Sequence, residues 1–375
     1  MKVLIESQFL LNYDIHNNIT VGGTQRYAYN IAEVCRELGY EVVFITKSSE
    51  NFERYYDGYG LVVSIRIKNN IFNAINFSRK VYKYAKENNV NLVIYSDIMV
   101  SYPYKFENSI AIQHGISWDN PSDYFKKKYF EKFYIKAALR HKRVICVDTN
   151  FINWVRCRSK KYFNNPSLLK YICNYGDENV FKPLVSDKNI VEYKLLYPRR
   201  LVEHRGYSLF INMCIELINS GYKIIPVFAI ERKDRDKLYM KHPVLNSIPH
   251  EVHHPNFTEI SELYNQAYIT YVPTVWSEGT SLSAIESIIS GTPVVVTDVG
   301  GLGNIVINHF NGYIVPATVE SLKEATVKLI ENPDIRLEMS INCVNVRKYF
   351  GLTRWKDDIK PIISESMESI NDKKK

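Results

Sequence analysis

The stretch SEGTSLSAIESIISGTPVVVT, residues 277–297, decides the fold class. It reads as a polar loop, a helix over Ser281–Ser290 and a strand over Pro293–Thr297, and another strand, Ile269–Val272, precedes it. A strand, a crossover helix and a second strand at this spacing predict parallel pairing with a right-handed connection. The same alternation extends toward the N-terminus through strand candidates at Tyr193–Tyr197 and Lys223–Ile230 and helices at Ser208–Asn219 and Ile260–Ala267. Helices are predicted beyond it at Val319–Glu331, Ile335–Tyr349 and Arg354–Ile370, with a frayed KKK end.

The first half repeats the pattern. Lys2–Ser7 is a strand candidate, followed by a loop ending in Val21-Gly22-Gly23-Thr24. Tyr27, Ile31, Val34, Cys35 and Leu38 carry a helical period that stops at Gly39, and Thr24 is placed to cap that helix. Further strands are predicted at Glu41–Lys47, Asn91–Ser96, Ile110–Gln113 and Val144–Val147. Around residues 173–190 the apolar pattern lapses into turn formers and charge, an interdomain connection. The reading is α/β, with an N-terminal domain over 1–183, a second domain over 184–350 and a C-terminal helix with tail over 351–375.

Composition narrows the function classes. The 375 residues are 46% apolar and 23% charged, the balance of an ordinary folded protein. No uncharged apolar run approaches the roughly 20 residues of a membrane span, and the early Glu6 argues against a signal peptide, so a cytoplasmic protein is expected. The six cysteines have neither disulfide nor zinc spacing, and His253-His254 lacks an acidic companion at ligand spacing; no metal site is expected. The net charge of +8 lies wholly in residues 1–180, which hold 25 Lys and Arg against 17 Asp and Glu.

Glu278 falls in the loop after a strand and Glu286 inside the next helix, so both carboxylates can reach the crevice at the carboxyl edge of the sheet. Gly279, Thr280, Ser281 and Leu282 open the helix, whose free N–H groups suit phosphate or sugar oxygens. A capped surface helix with two solvated glutamates would give the same spacing. Arg200 and Arg205 follow a strand, where cations suit a diphosphate. His114 precedes Gly115, which would let a ligand approach the backbone.

Residues 277–297 resemble the E-x7-E signature of retaining glycosyltransferases of the GT-B fold, glycosyltransferase family 4. The resemblance runs in order along the chain: Gly22-Gly23 is similar to the family's glycine loop, Gln113-His114-Gly115 to its histidine turn, and Asn174-Tyr175-Gly176-Asp177 through Phe181-Lys182-Pro183 to its N-G-V-D…F-x-P passage. Arg200-Leu201-Val202 with Arg205-Gly206 resembles G-R-L-x…K-G, and Asn311-Gly312-Tyr313-Ile314-Val315 resembles N-G-x-L-V. Arg205 replaces the usual Lys, and Arg199 replaces the usual Gly, a change expected to affect local backbone geometry and not chemistry.

The resemblance implies two Rossmann-like doubly wound domains facing across a cleft, with the C-terminal helix returning to the N-terminal domain. It implies retaining transfer of a hexose-type sugar from a UDP- or GDP-sugar to a hydroxyl of a glycan or lipid-linked glycan, without metal or other cofactor. Arg200 and Arg205 would stabilise the departing diphosphate, Glu278 and His114 would position the sugar, and Glu286 would hold the ribose. Gly22 and Gly23 would meet phosphate or acceptor, and Gly279 to Leu282 the donor. The alternatives are a non-catalytic nucleotide-sugar or glycan-binding protein of this fold and a nucleotide-sugar epimerase.

Residues 123–143, DYFKKKYFEKFYIKAALRHKR, carry eight cations and two acids. Lys128, Lys132, Lys136 and Arg140 form a stripe, with Phe130, Phe133, Tyr134, Ala137 and Ala138 on another face. Such a helix suits an anionic membrane surface or an acceptor; a domain helix packing its aromatics inward is the alternative. No nucleic-acid recognition motif accompanies it. The expected setting is surface polysaccharide biosynthesis, on the cytoplasmic face of the membrane.

Overall fold

The computed structural model describes every residue except 12–17, 21, 68–70, 121–123, 185–191 and 372–375; the side chains at 71–72, 124–129 and 369–371 are likewise outside the described residues. The chain divides into two compact units: residues 1–114, 121–172 and 355–375 form the first, and residues 115–120 and 173–354 the second.

The strands of the first unit are β1 (Lys2–Glu6), β2 (Glu41–Ser48), β3 (Phe52–Tyr56), β4 (Gly60–Arg66), β5 (Leu92–Tyr95), β6 (Ser109–Gln113), β7 (Arg143–Cys146) and β8 (Leu169–Tyr171). They form one sheet in the order β3-β4-β2-β1-β5-β6-β7-β8. All neighbours pair in parallel except β3 and β4. Strands β1, β5, β6 and β7 are almost wholly buried, as a parallel sheet covered on both faces requires. The chain leaves β1 toward β2 on one side and leaves β5 toward β6 on the other. The sheet therefore has its switch point between the carboxyl ends of β1 and β5.

The second unit repeats the plan with β9 (Tyr193–Tyr197), β10 (Ile224–Ala229), β11 (Glu251–His253), β12 (Ile269–Val272), β13 (Val294–Thr297) and β14 (Gly312–Val315), all parallel, in the order β11-β10-β9-β12-β13-β14. Its switch point lies between β9 and β12. Two apolar clusters contain this sheet, one including Phe210, Met213, Tyr271 and Leu329, the other Tyr264, Ile285, Ile288 and Val296.

Several elements differ from the sequence reading. The hairpin β3–β4 was not anticipated; Phe52–Tyr56 is an exposed edge strand, and the three-residue turn is made by Asp57-Gly58-Tyr59 with Gly58 at φ +71°. Thr24 does not cap its helix. The helix spans Gly23–Glu37 with Gly22 at the N-cap position, and the Thr24 hydroxyl donates to the side chain of Gln25 instead. The helix predicted from Ile335 starts earlier, with Pro333 in its first turn where a missing N–H costs nothing.

The C-terminal segment belongs to the first unit. Trp355 is fully buried and meets Tyr27 edge-on at 4.9 Å. Lys356 and Lys360 pair with Glu37 of the first helix at 2.6 and 3.1 Å, and Asn108 donates to the carbonyl of Ser366. The exposed ion pairs add little; the buried indole contributes most. Trp355→Ala is expected to cost the first unit about 3–5 kcal/mol. Urea unfolding followed by first-unit probes should show its transition at markedly lower denaturant, and an unmoved transition would refute the assignment.

Candidate functional site

The site of the second unit forms at the β9/β12 switch point. β9 ends at Tyr197, whose buried hydroxyl donates to the carbonyls of Arg200 and Arg205 and pins the following loop. That loop closes in a short turn, Glu203–Arg205, and passes through Gly206 into the helix Tyr207–Asn219. Gly206 has φ +74°, and a Cβ there would lie 1.8 Å from the carbonyl oxygen of Pro273, just past β12. Only glycine lets the two loops touch.

The loop after β12 carries Thr274 and Glu278. Its backbone is fixed by the Val275 N–H donating to the His204 carbonyl and the Gly301 N–H donating to that of Glu278. Ser277 adopts the left-handed conformation at φ +63°, and its N–H donates to Asp119 of the same unit. Gly300, at φ +57°, leaves room for the Glu278 carbonyl, which a Cβ would approach to 1.9 Å.

Glu278 is buried, with side-chain exposure of 7%. Its Oε2 takes all the contacts: Arg199 at 2.7 Å, the Thr274 hydroxyl at 2.7 Å, and Arg205 in a short ion pair. Arg199 also donates to Thr274 Oγ1 at 2.7 Å, and Arg205 to the Ser277 carbonyl. Burial alone would raise the Glu278 pKa, but the two guanidinium groups outweigh it and hold the carboxyl below its usual range. Burial lowers the Arg205 pKa, against the pull of Glu278. Among the described residues Oε1 has no hydrogen-bond partner, so one face of the carboxylate is left for a ligand.

Sequence reasoning missed Arg199 as chemistry. It is as buried as Glu278, at 8% exposure, and joins the carboxylate directly; a cation where the family has glycine, next to a strand end, was the available signal. Arg200 instead is exposed, and among the described residues its side chain makes no ion pair. Its charge is close enough to depress His204 and Arg205, though burial is the larger cause in both. The three arginines outnumber the one carboxylate between them.

Glu286 is buried inside the helix Leu282–Ile289, where Tyr264 donates to its Oε2 at 3.0 Å. Ser281 stands at the N-cap position without a side-chain cap, leaving the opening N–H groups to other partners. The Thr280 hydroxyl accepts from the Asn174 N–H at 3.0 Å, and the Asn174 amide donates to the Thr280 carbonyl at 2.6 Å. Asn174 thus holds the loop between Gly279 and Leu282. His253 pairs with Glu251, and the His254 ring bonds to the Ile230 carbonyl.

His114, Gly22 and Gly23 belong to the first unit. His114 follows β6; burial drives its pKa down to about 4, its ring meets Tyr27 edge-on, and its Nε2 has no partner among the described residues. It is neutral at pH 7. Gly22 and Gly23 begin the first helix at its N-terminal end. In the helix Tyr124–Ala138, the side chain of Lys128 lies outside the described residues and Lys132 and Lys136 are exposed; the helix ends before Arg140, which is exposed in the turn that follows and so falls outside the predicted helical stripe. The alanines Ala137 and Ala138 are buried, but Phe130 and Phe133 remain 49% and 39% exposed beside the cations.

Two doubly wound sheets, with charged groups gathered at a switch point of the second, define an α/β protein of the class that holds ligands at the carboxyl ends of its strands. Comparison with known proteins gives the family. Residues 181–345 match the model for glycosyl transferases group 1, and residues 21–159 match that for Glycosyltransferase Family 4. The chain belongs to this family of glycosyltransferases, and its fold is GT-B. An uncharacterized glycosyltransferase of Methanocaldococcus jannaschii, MJ1178, is 26% identical over 239 residues, a match spanning 60% of this chain and 59% of that protein. Sucrose-phosphate synthase from Thermosynechococcus elongatus superimposes with a TM-score of 0.78 at 14% identity, covering 98% of this chain and 99% of its own. Anabaena HepE in complex with UDP-glucose gives 0.72 at 15%, covering 97% and 100%; the lipopolysaccharide glycosyltransferase WaaG gives 0.71 at 15%, covering 96% and 99%.

Glu278→Gln leaves Arg199 and Arg205 buried without their counter-charge. The expected loss is about 3–5 kcal/mol at pH 7. Because the folded pKa is depressed, the carboxylate's stabilisation is present above its unfolded value near 4.5 and is lost as pH falls through the lower folded value. Urea titrations should therefore show the gap between wild type and E278Q narrowing below about pH 4.5; a gap independent of pH would contradict the ion-pair account.

Proposed function

We propose that the chain transfers a hexose-type sugar, with retention, from a nucleotide-diphosphate sugar, UDP- or GDP-linked, to a hydroxyl of a glycan or lipid-linked glycan. The observation carrying this reading is the surplus of guanidinium charge around Glu278 at the β9/β12 switch point. A departing diphosphate gains negative charge in the transition state, and preplaced cations stabilise that charge more than the ground state. Arg205 and the exposed Arg200 supply it, and Arg199 adds to the field while anchoring Glu278. The partnerless Oε1 of Glu278 accepts from the sugar hydroxyls. Glu286 holds the ribose, neutral His114 donates or accepts at the sugar, and Gly22, Gly23 and residues 279–282 offer backbone N–H groups. HepE, of the same fold, is known in complex with UDP-glucose, which favours a uridine donor. Arginines in this number neutralise the diphosphate without metal, so chelation should leave transfer unchanged.

A thermal-shift panel of UDP, GDP, TDP, ADP and CMP, followed by the matching nucleotide sugars, tests the donor class. Stabilisation by none would remove the reading. With the donor known, Arg205→Ala should lower kcat about 10²–10³-fold. The fold should survive, because Arg199 and Thr274 still hold Glu278. A collapsed melting temperature with unchanged kcat would reverse the assignment.

The setting proposed is surface polysaccharide assembly at the cytoplasmic membrane face. No helix among the described residues is long and apolar enough to cross a membrane. Support for surface attachment comes from the exposed Phe130 and Phe133 beside Lys132 and Lys136, and from a cavity of about 490 Å³ lined by Tyr102, Lys136, Arg140 and Lys161 without a carboxylate. Phosphatidylglycerol vesicles should carry the protein to the top fraction in flotation assays at low salt and release it at high salt; equal binding to neutral vesicles would refute this.

A further inference from the structure

The helix Pro333–Val346 crosses the amino edge of the second sheet, the end opposite to the one that carries Glu278. Arg336 donates to the carbonyl of Tyr268 before β12, Ser340 to that of Gly291 before β13, and Asn342 to that of Phe310 before β14. The inner face of the helix buries Met339 and Cys343. Its outer face is apolar as well. Leu337, Ile341 and Val344 recur at i, i+4 and i+7 in one stripe, and they are 55%, 53% and 41% exposed. Tyr349, in the turn that follows, is exposed, and so is Ile307, in the loop that Asn342 ties to the helix. The neighbouring helix Val319–Glu331 shows the ordinary solvent face instead, with Glu320, Glu324 and Lys328 at its exposed positions. A helix that is apolar on both sides is normally buried on both sides.

Two opposite charges mark the ends of the stripe. Asp334 lies seven residues before Ile341 and Lys348 seven residues after it, two helical turns in either direction. Both are exposed, and among the described residues neither makes an ion pair. The Lys348 ammonium lies 5.2 Å from the centre of the Tyr349 ring. Turned end for end about Ile341, the pattern falls on its own complement: acid on cation at both ends, Leu337 against Val344, and Ile341 beside itself. An isologous contact requires such self-complementarity, and a contact with a different protein does not.

We propose that this face docks on the same face of a second copy of the chain, the two helices running antiparallel about a two-fold axis near Ile341. Burial of Leu337, Ile341 and Val344 drives the association, and the paired Asp334 and Lys348 at the two ends set its direction, as flanking charges do in paired helices. The dimer is built on the amino edge of the second sheet. Glu278 and Arg205, at the carboxyl edge, take no part in it.

Sedimentation velocity on the full chain tests it. At about 50 μM the wild type should sediment as a dimer and dissociate on dilution. Ile341→Glu sets two carboxylates side by side at the axis and should weaken association about a hundredfold. Asp334→Lys sets cations against each other at both ends and should weaken it about tenfold, while adding Lys348→Glu to the same chain should restore the dimer. That recovery would not occur if the stripe were only a sticky surface. Circular dichroism should be unchanged in every variant, because the substituted side chains are exposed. If Ile341→Glu does not fold, Leu337→Glu and the charge exchange carry the test. The proposal is overturned if the wild type is monomeric at about 50 μM, if the folded glutamate variants still dimerise, or if the double charge exchange fails to regain what Asp334→Lys loses.

Discussion

A carboxylate taken out of water costs several kcal/mol unless it is paired, and the second unit is arranged around meeting that demand at Glu278. Both guanidinium groups that pair with it come from the loop after β9, while Glu278 and Thr274 come from the loop after β12. The two strands must therefore be neighbours, as they are. The loops must also touch, which the lack of a side chain at Gly206 permits, and the Glu278 backbone must fit against Gly300. Parallel pairing, two glycines and a buried tyrosine staple thus serve one ion cluster.

Concentrating the contacts on Oε2 has a chemical consequence. A carboxylate gripped on both oxygens would be an inert structural ion pair. Here one oxygen is saturated and the other left available, so the group is immobile yet still able to accept a hydrogen bond. Arg199 is central to this division of labour. Without it Arg205 would have to serve both as counter-ion to Glu278 and as partner of an incoming anion; with it, the carboxylate stays compensated when Arg205 turns to another ligand.

The strand and helix succession was legible because buried parallel strands are short apolar runs bounded by turn residues. Tyr193–Tyr197, Ile269–Val272 and Val319–Glu331 fall where the pattern puts them. The β3–β4 hairpin was not, since Phe52–Tyr56 sits exposed at a sheet edge and has no apolar face to announce it. Motif spacing located Glu278, Glu286 and Arg205, whose meaning is local to a strand end. Arg199 escaped because its partner Thr274 is 75 residues away, and only the β9/β12 pairing unites them. Glu6 is the stronger case. In the sequence it is a charge near the N-terminus; its burial and its contact with Asp97, 91 residues on, are products of the β1/β5 pairing.

The two switch points share a topology and differ in sign, and the difference follows from what each ionisable group is given as a neighbour. At β9/β12 a buried carboxylate beside two arginines is held below its usual pKa range, and the surrounding charge is positive. At β1/β5 Glu6 is buried beside Asp97 instead, and burial first, the second carboxyl next, push its pKa up to about 8. Equivalent places in the fold therefore give a carboxyl opposite tendencies, and its neighbour, a cation or a second acid, decides which.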